Sequence, residues 1–135
     1  MPLKVRAILW IDHAQARMIK FNAETSVTRV IHREGGTPHL HHKANSIDDG
    51  HAPEDQAYFH AVSKALLGLT AVLVTGPANA KTELVKHIAR HDPPLMQRIS
   101  AIQTVDHPTD GELLDLARHH FGLIDRGLVP PSTSK

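Results

Sequence analysis

Three histidines fall within four positions at His39, His41 and His42, with His32 and His51 on either side, forming the densest run of imidazoles in the chain. Neutral imidazoles bind zinc. In an extended segment His39 and His41 would point one way and His42 the other, and no two-plus-two ligand spacing accompanies them. Taken alone, the residues favour a solvated loop that turns basic on protonation over a fixed metal site. Arg33 and Lys43 reinforce that positive character against Glu34, so the same stretch offers a local site for phosphate contacts. A second chemistry, metal-dependent hydrolysis, needs carboxylates converging from strand ends and a helix. Asp12 and Glu54 are candidates, but the apolar run Ala71-Val72-Leu73-Val74-Thr75 carries no acid at its end, and Asp12 reads more simply as a turn residue bonding its own backbone. The segment Gly76-Pro77-Ala78-Asn79-Ala80-Lys81-Thr82 lacks the second glycine and the spacing of a Walker loop. Its expected reading is a helix start with Asn79 as N-cap and Lys81 exposed in the first turn. No serine or threonine sits in a nucleophile elbow, and His119 and His120 read as helix-end residues in favourable charge–dipole positions. No catalytic residue, metal site or cofactor is assigned.

The composition narrows the partners. Lys and Arg number 15 against 14 Asp and Glu, so no net field draws the whole molecule to nucleic acid or to an anionic membrane. Contact with RNA must come from a local patch. The 12 histidines make the surface more basic on mild acidification. The absence of cysteine removes disulfides, thiolate zinc sites and cysteine nucleophiles. There are only five aromatic residues, most on apolar stripes, which argues against base stacking. No apolar run approaches a membrane span, and the first residues lead into a strand-like pattern without a signal core, so a cytoplasmic location is expected.

The elements that must position these residues follow from periodicity. Residues 5–11 are apolar and β-rich, as in a strand buried on both faces. Asp12-His13-Ala14-Gln15 turns the chain into a second strand at 16–21, and 26–32 forms a third, completing an antiparallel meander. Residues 33–52 lose the apolar pattern and carry Gly35, Gly36, Pro38 and Gly50; a loop of that length in a compact domain tends to be functional or mobile. Pro53, with Glu54 and Asp55, opens a helix that runs to about Gly68 on a stripe of Phe59, Val62, Ala65, Leu66 and Leu69. Residues 71–75 make a buried strand, and a second helix with Leu84, Val85 and Ile88 inward ends near His91 before Pro93-Pro94. A last strand covers 99–105, and Thr109 with Glu112 makes a capping box for a third helix closed by Gly122. One domain over 1–122 is expected, with 123–135 a flexible tail. The order β-β-β-α-β-α-β-α suits an α/β fold with a mixed five-stranded sheet of the ribonuclease H-like type.

Two stretches carry a resemblance to a known family. Val30-Ile31-His32-Arg33-Glu34-Gly35-Gly36-Thr37, followed by a basic stretch and a helix, and Ala71-Val72-Leu73-Val74-Thr75-Gly76-Pro77-Ala78-Asn79-Ala80-Lys81-Thr82-Glu83-Leu84 together resemble the middle domain of the eukaryotic and archaeal class-1 peptide release factors and of Pelota. The likeness spans about residues 5–121, in matching order and spacing. In that family a Gly-Gly-Gln tip enters the ribosomal peptidyl-transferase centre and helps water cleave peptidyl-tRNA. Gly35 and Gly36 match its glycines, whereas Thr37 replaces the glutamine and Pro38 holds Thr37 towards extended conformations. The resemblance implies a stand-alone, bacterial-type relative of the domain that associates with the ribosome or tRNA, and the departure at Thr37 argues against peptide release. Its contact residues would be Arg33, Gly35, Gly36, Thr37, His39, His41, His42 and Lys43. Two alternatives stay open on the residues: a divergent metal-dependent nuclease or hydrolase using Asp12 and loop histidines, and a metal- or pH-responsive binding module built on the histidine loop.

Overall fold

The computed structural model of the chain describes residues 5–33 and 53–127. Strands β1 (Arg6–Ile11), β2 (Gln15–Phe21) and β3 (Ser26–His32) precede helix α1 (Pro53–Leu66). Strand β4 (Ala71–Gly76), helix α2 (Ala80–His91), a 3-10 turn (Pro93–Arg98), strand β5 (Ile99–Thr104) and helix α3 (Asp110–Asp125) follow. The strands form one sheet in the order β3-β2-β1-β4-β5. The meander pairs are antiparallel, while β1–β4 and β4–β5 are parallel. This is the expected mixed five-stranded α/β arrangement of ribonuclease H-like order.

Because alternate strand residues face opposite sides, the sheet splits its apolar residues between two cores. Ala7, Leu9, Ile11, Met18, Val72 and Val74 meet Phe59, Val62 and Leu66 of α1 and Leu84 and Ile88 of α2. On the other face Ile8, Trp10, Ile19 and Leu73 meet Leu113, Ala117 and Phe121 of α3. The central strands β1 and β4 are therefore buried on both sides, which explains their near-continuous apolar runs. Edge strand β3 differs. Its β-branched residues fit a strand, but Val27 is 63% and Val30 43% exposed, and Ile31 is its contribution to the core.

Several local expectations hold and others need correction. Thr109 accepts a hydrogen bond from the Glu112 backbone N–H, and the Glu112 carboxylate accepts one from the Thr109 backbone, completing the capping box. Gly122 does not close α3, which continues to Asp125 and gives way to Gly127 in the left-handed region at φ 75°. Asp125 is held by Arg6 through two hydrogen bonds of 2.6 and 2.8 Å, so a long-range pair extends the helix past its glycine. The prolines after α2 do more than stop it, since they open a 3-10 segment that buries Leu95. Among the described residues no helix is long and apolar enough to cross a membrane.

Candidate functional site

Strands β1, β3, β4 and β5 run in the same direction, so β3 delivers its last residues to the sheet end where β1 finishes at Ile11 and β4 at Gly76. Helix α1 begins at that end too. Residues 34–52 connect the two, and Gly35, Gly36, Thr37, His39, His41, His42 and Lys43 lie outside the described residues. The residues that flank this segment are Arg33 and the first turn of α1. The Arg33 backbone N–H donates to the Ala14 carbonyl at 2.9 Å, extending the β2–β3 ladder by one residue. The Arg33 guanidinium donates through Nε to Asp55 Oδ1 at 2.7 Å, with the two side chains 27% and 24% exposed. Arg33 thus ties the chain entering the loop to the first turn of the helix leaving it. Asp55, placed near the positive end of the α1 dipole, has a second role as partner of that clamp.

A second tie runs beneath the first. Tyr58 donates its hydroxyl to the Asp12 carbonyl oxygen at 2.9 Å, joining α1 to the β1–β2 turn. Burial pushes the Tyr58 phenol well above its ordinary value, the nearby Asp12 charge adds to the rise, and Arg33 opposes it. The group is a neutral hydrogen-bond donor. Asp12 Oδ1 accepts from the backbone N–H groups of Ala14 and Gln15 at 2.8 and 2.9 Å, which is the turn role expected of it. The Glu54 side chain lies outside the described residues. Among the described residues no group of three His, Cys, Asp or Glu side chains stands ready to hold a metal ion. Beside the root, Arg29, Ile31 and His32 of β3 face Ala57, Tyr58 and Ala61 of α1 across an open groove of about 420 Å³.

The β4–α2 turn borders the same end. A Cβ on Gly76 would stand 2.3 Å from the Ile11 carbonyl oxygen, so glycine is what lets the end of β4 pass this close to β1. Asn79 occupies the cap position of α2 without a side-chain cap bond, while Thr82 Oγ1 donates to the Asn79 carbonyl at 2.9 Å. Lys81 corrects the expectation of an exposed first-turn residue. It is 6% exposed, and its ammonium group donates to the Ala78 carbonyl, closing the turn on itself. Burying the aliphatic stem while the head reaches a backbone acceptor is how a lysine enters such a position. His13 reaches Glu83 Oε1 at 3.3 Å and links the β1–β2 turn to α2.

The α3 side of this end carries a cluster that single-sequence periodicity does not reveal. Trp10 is buried and donates through Nε1 to the Asp106 carbonyl at 2.8 Å. Arg17 lies 4.8 Å over its ring, pairs with Asp110 at 2.5 Å and donates to the Pro108 carbonyl. His120 also departs from the helix-end reading. It is 7% exposed, and its Nε2 lies 2.8 Å from Ser100 Oγ across the α3–β5 interface. Burial lowers its pKa, and the charges of Arg6 and His119 lower it further. A neutral imidazole there has no charge to offer the helix dipole.

No protein-family model matches the chain, and no curated protein matches it in sequence. Solved structures do match. Pelota from Archaeoglobus fulgidus aligns with a TM-score of 0.61 at 12% identity, covering 92% of this chain and 33% of that one. An archaeal translation termination factor, aRF1, aligns at 0.56 and 14% identity over 91% of this chain and 41% of that one. Saccharomyces cerevisiae Dom34, described as a translation termination-like factor involved in RNA quality control pathways, aligns at 0.53 and 8% identity over 90% and 38%. The chain spans about a third of the Pelota structure and about two fifths of the other two. Its fold is that of one portion of these longer proteins.

Proposed function

We propose that this chain is a translation-related protein that associates with the ribosome or tRNA through the loop between β3 and α1, in the manner of a release-factor middle domain but without peptide release. The observation that carries the reading is the place of that loop. The insertion bearing Gly35 and Gly36 leaves the edge strand of a sheet whose whole arrangement resembles structures of translation termination and termination-like factors. Arg33–Asp55 ties the end of β3 to the start of α1, and Tyr58 ties α1 to the β1–β2 turn, so the residues flanking the insertion are held together. Arg33 and Lys43, with His39, His41 and His42, supply the cationic groups that RNA phosphates require. Thr37 has neither the carboxamide nor the reach of glutamine, which is the basis for assigning contact without hydrolysis. On this reading the protein works in the cytoplasm, with the ribosome.

Cosedimentation of the full chain with ribosomes at low and at moderate salt tests the proposal. Association that weakens as salt rises is expected, because neutralising phosphates releases counterions. Failure to cosediment at either salt would refute it. A peptidyl-tRNA hydrolysis assay on the same ribosomes separates contact from release: no release is expected, and release by the wild type would overturn the assignment of Thr37.

A further inference from the structure

We infer that the outer face of α1 and α2 is an anion-binding surface that holds the phosphodiester backbone of single-stranded RNA with Lys86 and Arg90 of α2 and Lys64 of α1. The described cations divide into two groups. Arg6, Arg17 and Arg33 pair with carboxylates, and Lys81, Arg98 and Arg118 donate to backbone carbonyls. Among the described residues, Lys20, Arg29, Lys64, Lys86, Arg90 and Arg126 have no such partner. Of these, Lys64, Lys86 and Arg90 gather on the two helices, and all three are exposed.

Both helices return from the sheet end that carries the loop, so they lie parallel and their rows of residues four apart advance in step. Gln56, His60 and Lys64 form the row on α1, and Glu83, His87 and His91 the row on α2. The rows meet where the His60 ring centroid stands 6.5 Å from that of His87, and the His91 ring follows at 4.4 Å. A groove of about 190 Å³ runs beside them, with Gln56, Lys86, Arg90 and His91 in its walls and Phe59 beneath. Its one carboxylate, Glu83, reaches towards His13 at 3.3 Å, and Asp92 is half-buried past the end of α2. Lys86 and Arg90 stand one turn apart, a like-charge spacing that destabilises a helix when nothing neutralises it. The last-turn positions of Lys64 and Arg90 offset part of that repulsion through the helix dipoles. An anion laid along the groove relieves the remainder.

Ammonium, guanidinium, imidazole and carboxamide donors suit phosphate oxygens. Phe59 is 2% exposed and offers no stacking face, so recognition falls on the backbone and is independent of sequence. A membrane surface or an acidic protein would need apolar anchors as well. The described parts of both helices expose no large apolar side chain, Leu67 lying just past α1. The surface requires only phosphates, so the inference stands apart from the role of the loop tip.

Anisotropy titration of a labelled oligouridylate tests it on a His39→Ala/His41→Ala/His42→Ala/Lys43→Ala variant, which lacks these loop cations. This variant is expected to bind, and neutralising about three phosphates should lower its affinity roughly 20-fold between about 50 and 200 mM salt. Adding Lys86→Gln/Arg90→Gln leaves about one contact, so affinity at about 50 mM salt should fall about tenfold or more and the salt effect shrink to roughly threefold. Lys20→Gln/Arg126→Gln removes the same charge from exposed positions elsewhere and should change affinity by less than about twofold. The replaced residues are exposed, and circular dichroism and thermal melting check that the fold is kept. Absence of RNA binding by the loop variant would overturn the surface, as would unchanged affinity on adding Lys86→Gln/Arg90→Gln. An equal loss in Lys20→Gln/Arg126→Gln would reduce the effect to net charge and overturn it too. Tighter capture by phosphatidylserine vesicles than by the oligouridylate at the same salt would overturn RNA as the partner. No ribosome is present, so failure here and failure of the loop reading are read separately.

Discussion

Replacing Arg33 with alanine removes the side chain that closes the root of the loop while leaving its backbone bond to Ala14 in place. The pair it makes with Asp55 is neither a surface ion pair nor a buried one, since each side chain keeps about a quarter of its exposure. Exposed pairs contribute roughly 0.2–1 kcal/mol, and hydrogen bonds to charged groups about 1.5–3 kcal/mol. At 2.7 Å and intermediate burial, Arg33→Ala and Asp55→Ala should each cost about 1–2 kcal/mol, with a coupling near 1 kcal/mol. Urea denaturation of the wild type, both single variants and the double variant measures all three quantities. A coupling below about 0.3 kcal/mol would refute the clamp. The same variants then separate two roles for Arg33 on the ribosome. If the clamp alone matters, Arg33→Ala and Asp55→Ala weaken association equally. If Arg33 also contacts phosphate, its loss is the larger and lowers the salt dependence.

Other expectations follow from single contacts. A base whose pKa falls on folding is bound by protons more readily in the unfolded chain, so the stability that depends on neutral His120 is complete above about pH 6.5 and is lost as pH falls towards the lower folded value. Melting temperatures between about pH 8 and pH 5 should therefore decline more steeply for the wild type than for His120→Gln. Gly76→Ala forces a methyl group against the Ile11 carbonyl and should cost about 3 kcal/mol or more, read as loss of soluble protein or a large fall in denaturation midpoint. Tyr58→Phe removes one hydrogen bond to the Asp12 carbonyl and should cost about 1 kcal/mol by the same measurement. Thr109→Ala breaks the capping box of α3 for a similar loss of about 1 kcal/mol.

Local rules carried far into this fold where local forces decide the outcome. The apolar runs of β1 and β4 mark strands buried on both faces, the Asp12 turn separates β1 from β2, and Thr109 with Glu112 marks the start of α3. The departures share a different cause, namely partners distant in sequence. Lys81 is buried because the preceding turn folds back to accept its ammonium group, and His120 because Ser100 meets it across the α3–β5 interface. Asp125 stays helical beyond Gly122 because Arg6, at the start of β1, holds it. The exposure of Val27 and Val30 follows from the edge position of β3, which a strand pattern does not encode. At the candidate site, Arg33 was legible as a basic residue by the loop but not as the partner of Asp55, and nothing in the sequence singled out Tyr58. The histidine density of the loop was plain.

The central claim is that the tip following Gly35 and Gly36 touches the translation machinery. A photo-crosslinking side chain placed at Thr37, with a control placed at exposed Lys64 on α1, tests it on isolated ribosomes with and without bound tRNA. The account predicts crosslinks from position 37 to ribosomal RNA or tRNA that exceed those from position 64. Equal labelling from both positions, or none from position 37 on ribosomes that retain the protein, would contradict it.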